Sequence, residues 1–182
     1  MFGPGYPWSI EWMPRIIPNV VKLCRQNPHR TVFTRFLPPC DASNAYGSWK
    51  RYYNAWSEVT RKSLDAGATD VISTLALFSP PAVIVNKSVY SPWLTPQLGN
   101  YIKRRKIDTA IISGGETDVC VLATAMGAID RGLRVVIASD AICSSCDSTH
   151  DNILMLYENR FSFQVEVATT DEIISQWPHE QS

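Results

Sequence analysis

Asp108-Thr-Ala-Ile-Ile-Ser-Gly-Gly-Glu-Thr-Asp-Val-Cys120-Val-Leu-Ala-Thr-Ala-Met-Gly-Ala-Ile-Asp-Arg-Gly132 changes periodicity at a pair of glycines, and that change decides the fold. Residues 109–112 form a continuous apolar run rich in β-branched side chains, the pattern of a strand buried on both faces of a parallel sheet. Gly114 and Gly115 free the backbone to turn. Thr117 or Asp118 can then serve as N-cap, Val121, Ala125 and Ala128 recur at helical spacing, and Gly132 is a natural stop. Cys120 is therefore expected in the first turn of a helix, at the carboxyl end of a strand.

That edge of an open α/β sheet is where ligands bind. A thiol in a first helical turn feels unpaired N–H groups and the positive end of the helix dipole, which favour thiolate, and the same amides can hold an oxyanion. Asp118, two residues away, opposes the shift, so a cationic partner would help. A free cysteine is more commonly a small buried apolar residue, and position alone leaves both readings open.

The octet 114–121, Gly-Gly-Glu-Thr-Asp-Val-Cys-Val, resembles the nucleophile motif of the isochorismatase-like cysteine hydrolases, a superfamily of isochorismatases, N-carbamoylsarcosine amidases, nicotinamidases and related proteins. The resemblance runs from Trp8 to Trp177 and is most specific between Ile107 and Ser145. A second motif, Val-Asn-Lys-Ser-Val-Tyr-Ser at 85–91, is similar to the family's lysine motif. A surface lysine is the default reading of Lys87, but the resemblance implies a cationic partner that stabilises the Cys120 thiolate. It also implies oxyanion donors at the amides of Glu116 and Cys120, and a cis peptide between Gly115 and Glu116.

The family's third catalytic member is an aspartate at the end of the first strand, acting as general base. Residues 1–8 look like the segment that follows that strand, so the resemblance implies that the strand and its aspartate are missing. Either a longer product starts roughly ten to twenty-five residues upstream, enough for one strand and its lead-in, or the triad is incomplete. Asp41, Asp118 and Asp140 are expected near the ligand-binding edge, and none matches the family's base.

The remaining chain supports the same architecture. Residues 16–26 read as a helix with Pro18 in its first turn, 31–34 as a strand, and 48–62 as a helix carrying Trp49, Tyr52, Tyr53 and Trp56 on one face. A short helix near 71–75 is followed by a strand at 82–85, and Pro96 opens a helix to residue 106. A strand at 133–139 leads into a loop at 140–147. Ser148 or Thr149 caps a helix through Glu158, a strand covers 163–168, Thr170 caps a last helix, and residues 178–182 are expected to fray. Strands alternating with helices predict one domain over residues 1–182, an α/β doubly wound, mostly parallel three-layer sheet. The resemblance gives its strand order as 3-2-1-4-5-6 with the first strand missing.

At 182 residues the chain can bury a core as a single domain. Seventeen basic and seventeen acidic residues balance, and Lys103, Arg104, Arg105 and Lys106 suit a helix end, so neither nucleic acid nor an anionic membrane is expected as partner. No apolar run is long enough to span a bilayer and no export signal is recognisable, so a cytoplasmic protein with free thiols is expected; the CxxC spacing of Cys143 and Cys146 reads as chance. Residues 34–41 contain no histidine beside Asp41, and His29, His150 and His179 are scattered, so no metal or other cofactor is expected and a nicotinamidase is disfavoured. His150 reads as structural. The expected function is a metal-independent cysteine hydrolase cleaving a C–N bond of a small amide or carbamoyl compound. Isochorismatase-type ether hydrolysis and a catalytically inactive small-molecule-binding relative are the alternatives. The resemblance implies a homo-oligomer, dimer or tetramer.

Overall fold

The computed structural model describes residues 1–3 and 5–177. Five strands run parallel to their neighbours: β1 (Val32–Phe36), β2 (Val83–Lys87), β3 (Thr109–Gly115), β4 (Arg134–Cys143) and β5 (Val165–Ala168). The α-helices between and around them are α1 (Met13–Gln26), α2 (Ser48–Ala55), α3 (Ser73–Ala76), α4 (Pro96–Arg105), α5 (Leu122–Ile129), α6 (Asp147–Arg160) and α7 (Thr170–Gln176).

Alternation along β4 creates two cores, because successive side chains leave opposite faces of a strand. Val135 and Ile137 join Ile112, Val85, Leu98 of α4, Ala125 and Ala128 of α5 and Tyr157 of α6. Val136 and Ala138 join Ile16, Val20 and Leu23 of α1, Leu75 of α3 and Ile173 of α7. Each fully buried aliphatic side chain contributes about 1.5–3 kcal/mol, so helices on both faces hold the strands between them.

The sheet is divided. β1 bonds β2, and β3–β4–β5 form a second set. Val32, Val83 and Val85 nevertheless share the first core with Ile112, and Phe33 packs on the second core together with Ile111. Both sets therefore contribute to the same two cores. With a neighbour on one side only, β3 keeps every residue but Ile112 partly exposed, whereas β4 is mostly buried.

Several boundaries differ from the sequence expectation. α1 begins at Met13, with Pro14 in its first turn, so Pro18 lies inside the helix rather than at its start. β1 runs on to Phe36 because Arg35 and Phe36 pair with Asn86 and Lys87. α2 stops at Ala55, leaving Trp56 beyond the helix and exposed. β4 continues to Cys143, so Asp140 stands inside a strand instead of a loop, held by Asn19 and by both the amide and hydroxyl of Thr170. α6 begins earlier than expected, with Cys146 at its cap, and Thr169 rather than Thr170 caps α7 through a reciprocal pair with Glu172. β5 starts at Val165, leaving Phe163 fully exposed. The expected fraying at residues 178–182 lies outside the described residues.

Candidate active site

The backbone leaves β3 through its two glycines. Gly114 has φ +101°, a conformation open to glycine, and a Cβ on Gly115 would stand 3.2 Å from both Cys143 Sγ and Ile10 Cδ1. The pairing register of β3 with β4 shifts between Ile112 and Gly114, and the peptide joining Gly115 to Glu116 is cis, as the resemblance implied. The chain then forms a π-helical turn, Thr117–Val121, before α5. The Glu116 carbonyl accepts from both Val119 and Val121, at 3.2 and 2.9 Å. Cys120 thus sits in a π turn ahead of the α-helix rather than in its first α turn. π turns are rare and concentrate at functional sites.

Neither expected cap acts as one. The Thr117 hydroxyl lies 2.8 Å from His150 Nδ1, both residues being buried, and the His150 ring meets the Trp12 ring edge-on. Asp118 accepts from the Ser144 hydroxyl at 2.6 Å and the Thr149 hydroxyl at 2.5 Å. Burial pushes the Asp118 carboxyl up, but these two bonds outweigh it and hold the group below the usual carboxylate range. The wider turn is therefore moored to the start of α6 at two points, and Glu116 adds a third by accepting from the Ser145 amide.

Cys120 is partly exposed, and its carbonyl accepts from the Thr124 hydroxyl at 2.6 Å. Lys87 occupies the last position of β2 and is 4% exposed. Its ammonium donates to the Tyr90 carbonyl and stands 6.0 Å from the centre of the Phe36 ring. The Tyr90 phenol is pushed up by burial and then by the charges of Cys120 and Glu116. Tyr52 is pushed up to about 12 by burial and then by Tyr90 and Glu116. Lys87 and the two tyrosines are thus linked by contact, the ammonium to the Tyr90 carbonyl and the Trp49 ring to both Tyr90 and Tyr52.

The sequence leaves open which one or two of the α2 aromatics line a pocket and places Tyr90 at the start of a pocket-shaping loop; the contacts of Trp49 with both Tyr52 and Tyr90 bring these rings together. The helical spacing of Trp49, Tyr52 and Tyr53 was the available signal, but only tertiary contact assigns the face. Of the three aspartates, Asp118 and Asp140 are engaged as described, and Asp41 caps the turn Ala42–Asn44 through Ser43. Among the described residues no three His, Cys, Asp or Glu side chains cluster as metal ligands. His29 and His150 lie apart, and His179 falls outside the described residues.

The five cysteines are free thiols. Burial pushes Cys143 up to about 12 and Cys24 up to about 11. Cys146 is exposed at the α6 cap and is lowered to about 7, first by the Ser148 hydroxyl and then by Thr149. The CxxC spacing thus places one thiol in the core and the other in solvent. Two hollows, of about 300 and 650 Å³, lie beside β5 and beside the 41–63 segment, and neither is lined by Cys120 or Lys87.

The chain is similar to N-carbamoylsarcosine amidase from Arthrobacter, with 26% identity over 180 residues, covering 94% of this chain and 64% of that protein. It is 30% identical over 86 residues to an uncharacterised isochorismatase family protein of Bacillus subtilis, covering 47% of each. The chain thus spans about half to two thirds of the length of these relatives. A cysteine hydrolase from Pseudomonas syringae pv. phaseolicola shares the fold, with a TM-score of 0.80 at 24% identity, covering 94% of this chain and 84% of that one. No helix among the described residues is long and apolar enough to cross a membrane. Residues 2–172 match the Isochorismatase domain, and the chain belongs to the isochorismatase family.

Proposed function

We propose that the protein is a metal-independent cysteine hydrolase that cleaves the C–N bond of a small amide or carbamoyl compound. The reading rests above all on the match of residues 2–172 to the Isochorismatase domain, together with a buried lysine, Lys87, at the end of β2 and a partly exposed cysteine, Cys120, in the π turn after β3. The name of the amidase relative points the same way. The Cys120 thiolate attacks the carbonyl carbon, and the amides of Glu116 and Cys120 hold the oxyanion. The C–N bond breaks, the nitrogen leaves with a proton, and a thioester remains on Cys120. Water then adds to the thioester carbon, releases the carboxylic acid and returns the sulfur. A general base that takes the thiol proton and delivers it to nitrogen is required.

Ammonia release from a panel of amides, with trapping of the acyl-enzyme by intact mass, tests the reading. Cys120→Ser is expected to abolish both signals, and Lys87→Met to lower turnover by about 100-fold or more, the scale of lost electrostatic preorganisation. Turnover that survives in Cys120→Ser would sink it.

A second reading is a small-molecule-binding relative without turnover. It is favoured by the engagement of Asp41, Asp118 and Asp140 in structural hydrogen bonds. Saturable ligand binding with no product over many hours would select it. We further propose a cytoplasmic location, in keeping with five free thiols. A homo-oligomer is proposed too, with Leu94, Met155 and Phe163 as exposed apolar contacts; light scattering at the monomer mass of 20.4 kDa would exclude it.

A further inference from the structure

Asp118 is the residue best placed to hinder the nucleophile beside it. It stands two positions before Cys120 in the turn Thr117–Val121, and a carboxylate so close opposes a thiolate. Its side chain is also that of a helix cap. A cap accepts from the amide two or three residues on, which for Asp118 is the amide of Cys120 or Val121. The Cys120 amide is one of the two that would hold the oxyanion. Free to turn inward, Asp118 would repel the thiolate and occupy a donor that the reaction needs.

The carboxylate is held elsewhere. Its Oδ1 accepts from the Ser144 hydroxyl at 2.6 Å and its Oδ2 from the Thr149 hydroxyl at 2.5 Å, so both oxygens are fixed on the start of α6 and the loop before it. Ser144 is 2% exposed, and its oxygen accepts from the Cys146 amide at 3.3 Å, which commits its proton to Asp118. The positive ends of two hydroxyl dipoles thus face the carboxylate and offset part of its charge. The turn is fixed alongside, with Thr117 bonded to His150 at 2.8 Å and Glu116 to the Ser145 amide at 3.2 Å.

We propose that Ser144 and Thr149 are positioning residues for the nucleophile: they hold the Asp118 carboxylate off Cys120, so that the thiolate can form and the Cys120 amide stays open to the oxyanion. This rests on Cys120 being the nucleophile. Removing either hydroxyl frees one carboxylate oxygen to swing about the turn. Removing the charge of Asp118 makes the clamp unnecessary. The two kinds of substitution therefore act on Cys120 in opposite directions, although each loses hydrogen bonds of the same clamp. A merely structural role would move Cys120 the same way in both.

Alkylation of Cys120 by iodoacetamide, followed by mass spectrometry of its peptide from about pH 5 to about pH 9, reads this as the midpoint of the rate-against-pH curve. A Cys146→Ser background is used, because the Cys146 thiol is lowered to about 7 by Ser148 and then by Thr149, and would change with the latter. Thr149→Val and Ser144→Ala are each expected to raise the midpoint by about half a pH unit or more, and Asp118→Asn to lower it by a similar amount. Thr149→Ser, which keeps the hydroxyl, should restore the starting midpoint. Thr149→Val combined with Asp118→Asn should behave as Asp118→Asn alone, since no charge remains to be held. The other titratable groups around the turn are Glu116, His150 of α6, the Cys143 thiol behind Gly115, and Lys87 and Tyr90 across the edge. They are the same in every variant and shift all curves alike. Circular dichroism of each variant confirms folding. Midpoints that move the same way in Thr149→Val and Asp118→Asn, or that move in neither, would overturn this inference and leave the hydrolase reading in place. A Cys120 that reacts no faster than a free model thiol at any pH would overturn the nucleophile reading, and the role of the clamp with it.

Discussion

Thr117 Oγ1 and His150 Nδ1 are 2.8 Å apart, with both residues buried, so the turn that carries Cys120 is tied to α6 by a bond that water does not reach. The residue next to it in sequence, Asp118, repeats the attachment through Ser144 and Thr149. A π turn has no continuous α-helical ladder of its own to rest on. Its position relative to Lys87 is held from outside, by side chains that belong to a later part of the chain.

Thr117→Val keeps the shape and removes the hydroxyl, leaving a buried imidazole nitrogen without its partner. The expected loss is about 1–3 kcal/mol, measured as a shift of the urea midpoint at unchanged slope. His150→Ala should cost at least as much, because it also removes the ring packed on Trp12.

Asp118→Asn is expected to cost about 1–2 kcal/mol at pH 7, since hydrogen bonds to a charged group are the stronger kind. The folded carboxyl is held below its unfolded value, so its contribution is fully present above the unfolded range, near pH 4. It is lost as pH falls through the folded value. The stability difference between wild type and Asp118→Asn should therefore be flat from about pH 5 to 7 and shrink below about pH 4, in denaturant titrations across that range.

Gly127→Ala should destabilise the protein by about 1–3 kcal/mol through overpacking. The added Cβ would stand 2.2 Å from Trp93 Cδ1. Trp93 has little freedom to retreat, because its indole donates to the Thr124 carbonyl at 2.8 Å and the Arg131 guanidinium lies 4.6 Å over its ring. The displacement would register in the near-ultraviolet circular dichroism.

Thiol labelling as a function of pH should resolve the cysteines by environment. Cys146, lowered to about 7, is expected to gain reactivity through neutral pH as thiolate replaces thiol. Cys143, pushed up to about 12, and Cys24, pushed up to about 11, should resist labelling until the protein unfolds. Labelling of Cys143 in the native protein at pH 7.5 would contradict its place in the core.

Much of the fold was legible locally. Each strand was readable as a short β-branched run, and the parallel order followed from helices alternating with them. Cys120 and Lys87 each follow such a run within a few residues of its end, but their roles come from the resemblance of the motifs at 114–121 and 85–91. The boundaries that failed did so for tertiary reasons. The sequence places the end of β4 at Ser139, because Asp140 has the side chain of a loop residue, but Asn19 and Thr170 take up its carboxylate and the strand runs on. Thr117 and Asp118 have the side chains of N-caps, but buried partners on α6 and its preceding loop bind them more completely than the turn's own amides could.

Periodicity and composition alone determined the class of the fold and the side of the sheet on which chemistry can occur, while the roles of Cys120 and Lys87 at that edge are implied by the resemblance of their motifs. The class and the side depend on interactions between near neighbours in sequence, which the pattern of apolar, glycine and capping residues records directly. The π turn under Cys120, its ties to His150, Ser144 and Thr149, and the meeting of Tyr52 and Tyr90 on the Trp49 ring were decided only in three dimensions. Each depends on contacts between segments tens of residues apart, and the free energy of such contacts resides in packing and burial that no local stretch of the chain contains.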